Sequence, residues 1–262
     1  MNLPSEKDYL TNIAYDSVIF GFSDESLKVL IIEYHNTGLY ALPGGFVRRD
    51  ESLYDAVRRG VRDRTGIAQI YLEQFHTFGS LERYDPASMR LILEANGLDP
   101  GKCSWLLDRF ISVAYYALIN YLEVDPKPDQ LSDSINWYSL DRLPPLMQDH
   151  QRILTMALQT LKDNLDRKLV GVNLLPGQFT MKELQRLYEA ILGEKLRRST
   201  FQRKILSMEI LTRHEKKYTG KAHKAPYLYS FRTLNQPSPG SAACSERSDP
   251  QIPGKGRVPF PQ

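Results

Sequence analysis

Gly45-Phe-Val-Arg-Arg-Asp-Glu51-Ser-Leu-Tyr-Asp-Ala-Val-Arg-Arg59-Gly60-Val61-Arg62-Asp63-Arg64-Thr65-Gly66-Ile67 is the segment on which the reading of the chain turns. A Gly-Gly turn at Gly44 and Gly45 leads into a helix over 52–65, and Gly66 stands where a C′ residue closes it. Ahead of it, the β-branched and aromatic runs 15–22 and 27–34 flank Ser23-Asp24-Glu25-Ser26, which predicts a hairpin, and a third strand is expected over 39–46. Behind it, strands are expected over 70–78, 110–121 and 135–139. The stretch 85–108 leaves the sheet, with a short helix over 88–96 and a turn at Gly97-Leu98-Asp99-Pro100-Gly101. Excursions of this kind often border binding sites.

Farther on, Ile153, Leu154, Ala157, Leu158, Leu161 and Leu165 recur at helical spacing and predict an amphipathic helix over 149–169 that bridges two domains. After Leu174-Leu175-Pro176-Gly177 the chain changes to short helical units. Thr180 and Glu183 have capping-box spacing, in which hydroxyl and carboxylate each satisfy a free amide at a helix start. Leu184, Leu187, Tyr188 and Ile191 form the apolar stripe of that helix, and Gly193 ends it. Ser199 and Gln202 offer a second capping box, opening a helix with Phe201, Ile205, Leu206 and Met208 turned inward. Two short helices joined by a tight turn are the helix-turn-helix signature. Residues 210–213 and 227–231 can then pair around the basic tip 214–224, which makes the arrangement a winged helix. The stretch 235–262 has six prolines and little apolar material, the composition of a disordered tail. The chain is thus divided into 1–148, a linker helix 149–173, a winged helix-turn-helix 174–234 and the tail.

The 262 residues carry a net charge of +3, distributed unevenly. Residues 1–175 hold 18 bases and 24 acids, whereas 176–235 hold 13 bases and 5 acids. A basic module on a mildly acidic body is the asymmetry of a protein with one part that meets a polyanion. The longest apolar runs, such as 110–119, are about half of a bilayer span, and acids replace a signal-type run near the N-terminus, so the chain is read as cytoplasmic, with no membrane partner. Cys103 and Cys244 lie far apart with no companion at metal-ligand spacing, which indicates neither a disulfide nor a zinc site.

The segment 45–67 resembles the Nudix box, G-x5-E-x7-R-E-U-x-E-E-x-G-U with U aliphatic. Gly45, Glu51, Arg59, Val61, Gly66 and Ile67 fall on pattern positions. The resemblance implies an α+β Nudix fold, a mixed sheet with flanking helices. In Nudix hydrolases the helix acids hold magnesium and activate water, work that needs several converging carboxylates. Here the first of the three helix acids is Gly60, the second is Asp63 and the third is Arg64. The local charge rises from −3 to about zero, which removes the reason for a divalent cation to bind. No catalytic residue, metal or cofactor is therefore assigned. Arg48, Glu51, Arg58, Arg59, Asp63 and Arg64 are the expected ligand-binding residues, suited to holding a phosphate or polyol. The alternative is an active hydrolase that recruits metal through Glu51, Asp63 and carboxylates such as Glu82, Glu94 or Asp108.

A degenerate box followed by a winged helix resembles the Nudix-related transcriptional regulators over roughly residues 10–234. The resemblance implies a homodimeric repressor on a palindromic double-stranded operator. It implies as effector ADP-ribose, in regulators of NAD metabolism, or a sugar such as arabinose, in a branch associated with sugar catabolism. The helix from Ser199 would enter the major groove, with Arg197, Arg198, Ser199, Thr200, Gln202, Arg203 and Lys204 facing DNA. Lys216, Lys217, Lys221, His223 and Lys224 on the wing would meet phosphate or the minor groove.

Overall fold

Two buried faces explain the apolar runs of the first half. In β1 (Tyr9–Ser23), Val18 and Phe20 point to one side of the sheet, while Tyr15 and Ile19 point to the other. β2 (Ser26–Tyr34) repeats this with Val29 and Ile31 against Leu30 and Ile32. A strand covered on both sides reads as a near-continuous hydrophobic run. The computed structural model describes residues 6–68, 70–124, 126–129, 131–166, 171–217 and 225–232, with backbone alone at 171 and 172.

The first part continues through β3 (Tyr40–Ala41), β4 (Gly44–Arg48), α1 (Leu53–Thr65), β5 (Tyr71–Phe78), α2 (Pro86–Ala95), β6 (Ile111–Leu118), β7 (Ser132–Ser139) and α3 (His150–Asn164). The sheet is mixed and seven-stranded, ordered β3-β2-β1-β6-β5, with β4 paired to β1 and β7 to β2. β1 and β6 run parallel in register from Ile13↔Ile111 to Phe20↔Leu118. The expected strand over 39–46 is two short strands instead. Pro43 has no N–H to give a ladder, and its carbonyl accepts from Ser17 N at 2.7 Å. In α1, Ser52 caps the start by accepting from Asp55 N at 3.1 Å, and Gly66 closes the end at φ 76°. Ala56, Val57 and Val61 press α1 onto the Tyr15 face, and Ile153, Leu154, Ala157 and Leu161 press α3 onto the other. α2 starts at Pro86, two residues earlier than expected along the chain, because Asp85 accepts from Ser88 N at 3.2 Å. Beneath it, Leu93, Cys103, Trp105 and Leu106 form a small core, so Cys103 is a packing residue.

The second part comprises α4 (Gly171–Leu174), β8 (Phe179–Thr180), α5 (Met181–Leu192), α6 (Arg198–Ser207), β9 (Leu211–Lys216) and β10 (Tyr227–Phe231), with a three-stranded sheet ordered β8-β10-β9. The capping box forms as expected: Thr180 N donates to Glu183 Oε2 at 2.6 Å, and Glu183 N to Thr180 Oγ1 at 3.2 Å. The second box does not form. α6 begins at Arg198, its N-cap is Arg197 with no side-chain cap, and Ser199 already lies inside the first turn. Phe201 and Ile205 are buried as expected, but Leu206 is 44% exposed, on the side of α6 away from the core. The helix over 149–169 ends at Asn164. Expectations for 218–224 and for the tail, Cys244 included, fall outside the described residues, among which no helix is long and apolar enough to cross a membrane.

One hydrophobic cluster runs through both parts. Leu154, Ala157 and Leu161 of α3 meet Tyr116 and Leu118 of the sheet, and the same cluster takes in Leu184, Leu187, Tyr188 and Ile191 of α5 with Phe201 and Ile205 of α6. Arg186 pairs with Glu25, and Lys204 with Asp166 at 2.6 Å, across the same junction. Leu161→Ala is therefore expected to destabilise both parts together, by about 2–5 kcal/mol. Denaturant unfolding followed by fluorescence of Trp105 and Trp137, both in the first part, should superimpose on far-UV circular dichroism. A dichroism transition that fluorescence does not see would show the cores to be independent.

Candidate functional site

A cavity of about 860 Å³ opens between β1, β4, α1, the excursion that carries α2, and the start of α3. Its α1 wall holds Arg59, Gly60, Asp63 and Arg64. Arg59 forms a two-pronged pair with Glu51, Nη2 to Oε1 at 2.6 Å and Nε to Oε2 at 3.0 Å, and also donates to the Phe46 carbonyl. Hydrogen bonds from Arg59 and from the Arg48 amide hold the Glu51 carboxyl below the usual carboxylate range. Arg64 donates to Asp129 at 2.6 Å, and its Nε is buried with no partner among the described residues. Asp63 is half exposed beside Arg62. Thus Arg59, Asp63 and Arg64 line the cavity, whereas Arg48, Glu51 and Arg58 do not. Arg48 contributes its backbone, Glu51 is occupied by Arg59, and Arg58 lies exposed with its guanidinium toward the Ala68 carbonyl.

The floor is a buried ionic cluster that sequence reasoning did not assign. Asp16 of β1 accepts from Arg83 Nη2 at 2.7 Å and from Ser112 Oγ of β6 at 2.6 Å. Arg83, just before α2, also donates from Nη1 to Asp149 at 2.5 Å. His150 Nδ1 accepts the Leu42 amide at 2.9 Å, so in the neutral ring the proton sits on Nε2, which faces Asp16 Oδ1 at 3.8 Å. Burial pushes the Asp16 carboxyl up, but His150, Arg83 and Ser112 outweigh it and hold it below the usual range. Burial pushes His150 down, against the pull of Asp16. A signal was present in the sequence: Asp16 and Ser17 interrupt an otherwise apolar strand, and a buried carboxylate must be paired.

Beside that floor stands Tyr15, which is buried and lines the cavity. It pairs across the sheet with Gly45 and lies under Gly60. Burial pushes its phenol up, opposed by Arg64 and Arg59, so it stays protonated at neutral pH. Among the described residues no group of three or more His, Cys, Asp or Glu could hold a metal ion. The box helix offers Asp63 with Gly60 and Arg64 beside it, a donor set that does not fit a magnesium cluster.

On the second part, Arg197, Arg198, Ser199, Thr200 and Arg203 are exposed along α6 and the turn before it, and Gln202 is half-buried. Lys204 is also exposed but reaches back to Asp166. Lys216 lies 5.4 Å over the Tyr227 ring and Lys217 sits 3.8 Å from Glu183. Arg213, which the motif reading missed, stacks 4.7 Å over the same ring. Lys221, His223 and Lys224 lie outside the described residues.

A mixed sheet with a cavity beneath its box helix, continued by a basic winged helix, defines a DNA-binding regulator built on a Nudix-type domain. A family model described as the NUDIX domain matches residues 13–158, and one described as the NrtR DNA-binding winged helix domain matches 171–231. The chain is 30% identical over 224 residues, 82% of its length and 80% of the relative's, to a protein of Acinetobacter baylyi named ADPR responsive transcriptional repressor NtrR. It is similar to the crystal structure of Shewanella oneidensis NrtR, at 28% identity and TM-score 0.64 over 84% of this chain and 94% of that one. The same protein complexed with a 27mer DNA matches at 25% identity and TM-score 0.63, over 84% and 93%. The chain belongs to the NrtR family of transcriptional regulators.

The His150 geometry has a measurable consequence. Its folded value lies below the ordinary 6.5, so between the two the unfolded chain binds more protons and stability falls as pH drops below about 6.5. The contribution of Asp16 is present above its ordinary 3.8 and is lost only as pH falls through its lower folded value. Melting temperature is expected to decline from pH 7 to pH 5, and His150→Gln to flatten that decline. A decline of unchanged slope in the variant would assign it to other groups.

Proposed function

We propose that this chain is a transcriptional repressor without diphosphate hydrolase activity, and that a neutral polyhydroxylated metabolite of the sugar class, bound in the cavity, changes its affinity for a palindromic operator. The observation that carries the effector class is charge pairing. Arg59, Arg64 and Arg83 each already hold a protein carboxylate, and Asp8, Asp16, Asp63, Asp85, Asp108 and Asp129 all face the same space. Arg109, which donates to the Gly79 carbonyl, and Lys127 also line it, so a diphosphate would meet those two cations, three already paired ones and several carboxylates, whereas sugar hydroxyls can both donate to carboxylates and accept from guanidinium groups. ADP-ribose is the second reading, favoured by the name of the Acinetobacter relative.

For DNA, the exposed cations of α6 support insertion of that helix in the major groove, with Arg203 on a base edge and the wing on phosphate. Two copies with helices about one DNA turn apart, ~34 Å, would suit a palindrome. Fluorescence anisotropy with operator DNA, titrated with arabinose, other pentoses and ADP-ribose, distinguishes the readings. A response to pentose alone supports the sugar, a response to ADP-ribose alone replaces it, and silence from all removes the sensing claim. Magnesium-dependent turnover of ADP-ribose at ordinary enzymatic rates would remove the non-enzyme reading. Arg203→Ala is expected to weaken operator binding by about 1–3 kcal/mol while changing binding to random duplex less. Equal losses on both would place Arg203 on phosphate.

A further inference from the structure

Gly60 occupies the middle of α1, where glycine is among the poorest helix formers and leaves the backbone needlessly free. The reason lies across the cavity wall. A Cβ at position 60 would overlap the Tyr15 hydroxyl outright and would stand 3.0 Å from Cζ and 3.3 Å from Cε2. A Cβ at Gly45, the register partner of Tyr15 on β4, would lie 2.5 Å from the same hydroxyl and 2.8 Å from Cζ. The ring is thus held between two residues that can have no side chain, one on the sheet and one on the helix. It is 2% exposed, so it has little room to swing away. Position 60 is also where the box pattern carries the first of its helix acids.

From this geometry we propose that Tyr15 is the residue that forecloses a metal site: its side chain fills the volume a carboxylate at position 60 would need, so the chain cannot regain that ligand while Tyr15 is in place. Tyr15 borders the cavity. The space at the box helix is therefore filled by a neutral phenol where a metal-binding domain would place a negative charge. A side chain at position 60 and the ring at position 15 thus exclude one another. The proposal stands on packing and is separable from the repressor reading: failure to bind operator DNA would defeat that reading without touching the coupling, and additive stabilities would defeat the coupling without touching that reading.

The test is a double-mutant cycle on the full chain. Gly60→Ala is expected to lower the melting temperature by ~5 °C in the wild-type background, through overpacking. In Tyr15→Phe, which lacks the overlapping oxygen, the loss should shrink by at least half. In Tyr15→Ala it should reverse to a gain, because alanine is then simply the better helix former. A Gly60→Ala shift of equal size and sign in all three backgrounds overturns the proposal. As a second readout, Mn2+ uptake by electron paramagnetic resonance is compared between Gly60→Glu/Arg64→Glu and the same pair with Tyr15→Ala. Uptake is expected only where Tyr15 has been replaced, and equal uptake in the two overturns the proposal. Should these charge-altered variants fail to fold, the cycle with alanine and phenylalanine decides alone.

Discussion

The arrangement rests on one guanidinium between two carboxylates. Arg83 joins Asp16 on the central strand to Asp149 at the head of α3, and Ser112 and His150 complete the shell. Burying three charges costs heavily in desolvation, and that cost is offset only when every partner is present. Removing one leaves an uncompensated charge, a penalty on the order of 3–5 kcal/mol. The cluster therefore acts less as an adhesive than as a fixture. It sets where β1, β6, the turn before α2 and the start of α3 stand relative to one another, and all of these but β6 bound the cavity. A ligand entering meets Arg59, Arg64 and Arg83 already paired with protein carboxylates.

The same helix that begins at this cluster ends against the DNA-binding part. α3 starts with Asp149 and His150 at the cavity floor and carries Leu161 into a cluster with the α5 and α6 side chains. A ligand shifts an equilibrium only by the difference in its affinity for two arrangements. α3 spans from the cavity to the helix-turn-helix, so it touches both places where such a difference would have to be felt. Lys204 illustrates the closeness of the two parts: a cation of α6 is held by Asp166, just beyond the end of α3.

Much of this was legible in the sequence because local rules and global fold agree. Runs of β-branched and aromatic residues placed the first hairpin, Gly66 closed α1, and Thr180 with Glu183 opened α5. The reading failed where a single backbone or packing fact overrode a pattern. Pro43 divided a strand, Arg197 took the cap position that Ser199 and Gln202 were expected to fill, and Leu206 lay exposed. The site was less legible than the fold. The box motif drew attention to arginines on β4 and α1, of which Arg48 and Arg58 face elsewhere, while the buried cluster draws on residues spread from 16 to 150. No spacing rule brings such positions together; only the parallel pairing of β1 with β6 and the return of the chain at α3 do so. What could be read was the anomaly of an acid within an apolar strand.

The tight fit of a ring between two glycines also bears on the history of the chain. A lineage that acquired Tyr15 after its box helix lost an acid would find the road back closed, since restoring the acid first yields a more crowded and weaker protein, and removing the ring first opens a hole. Selection on folding alone would then act as a ratchet, holding position 60 bare for as long as the ring stays in place.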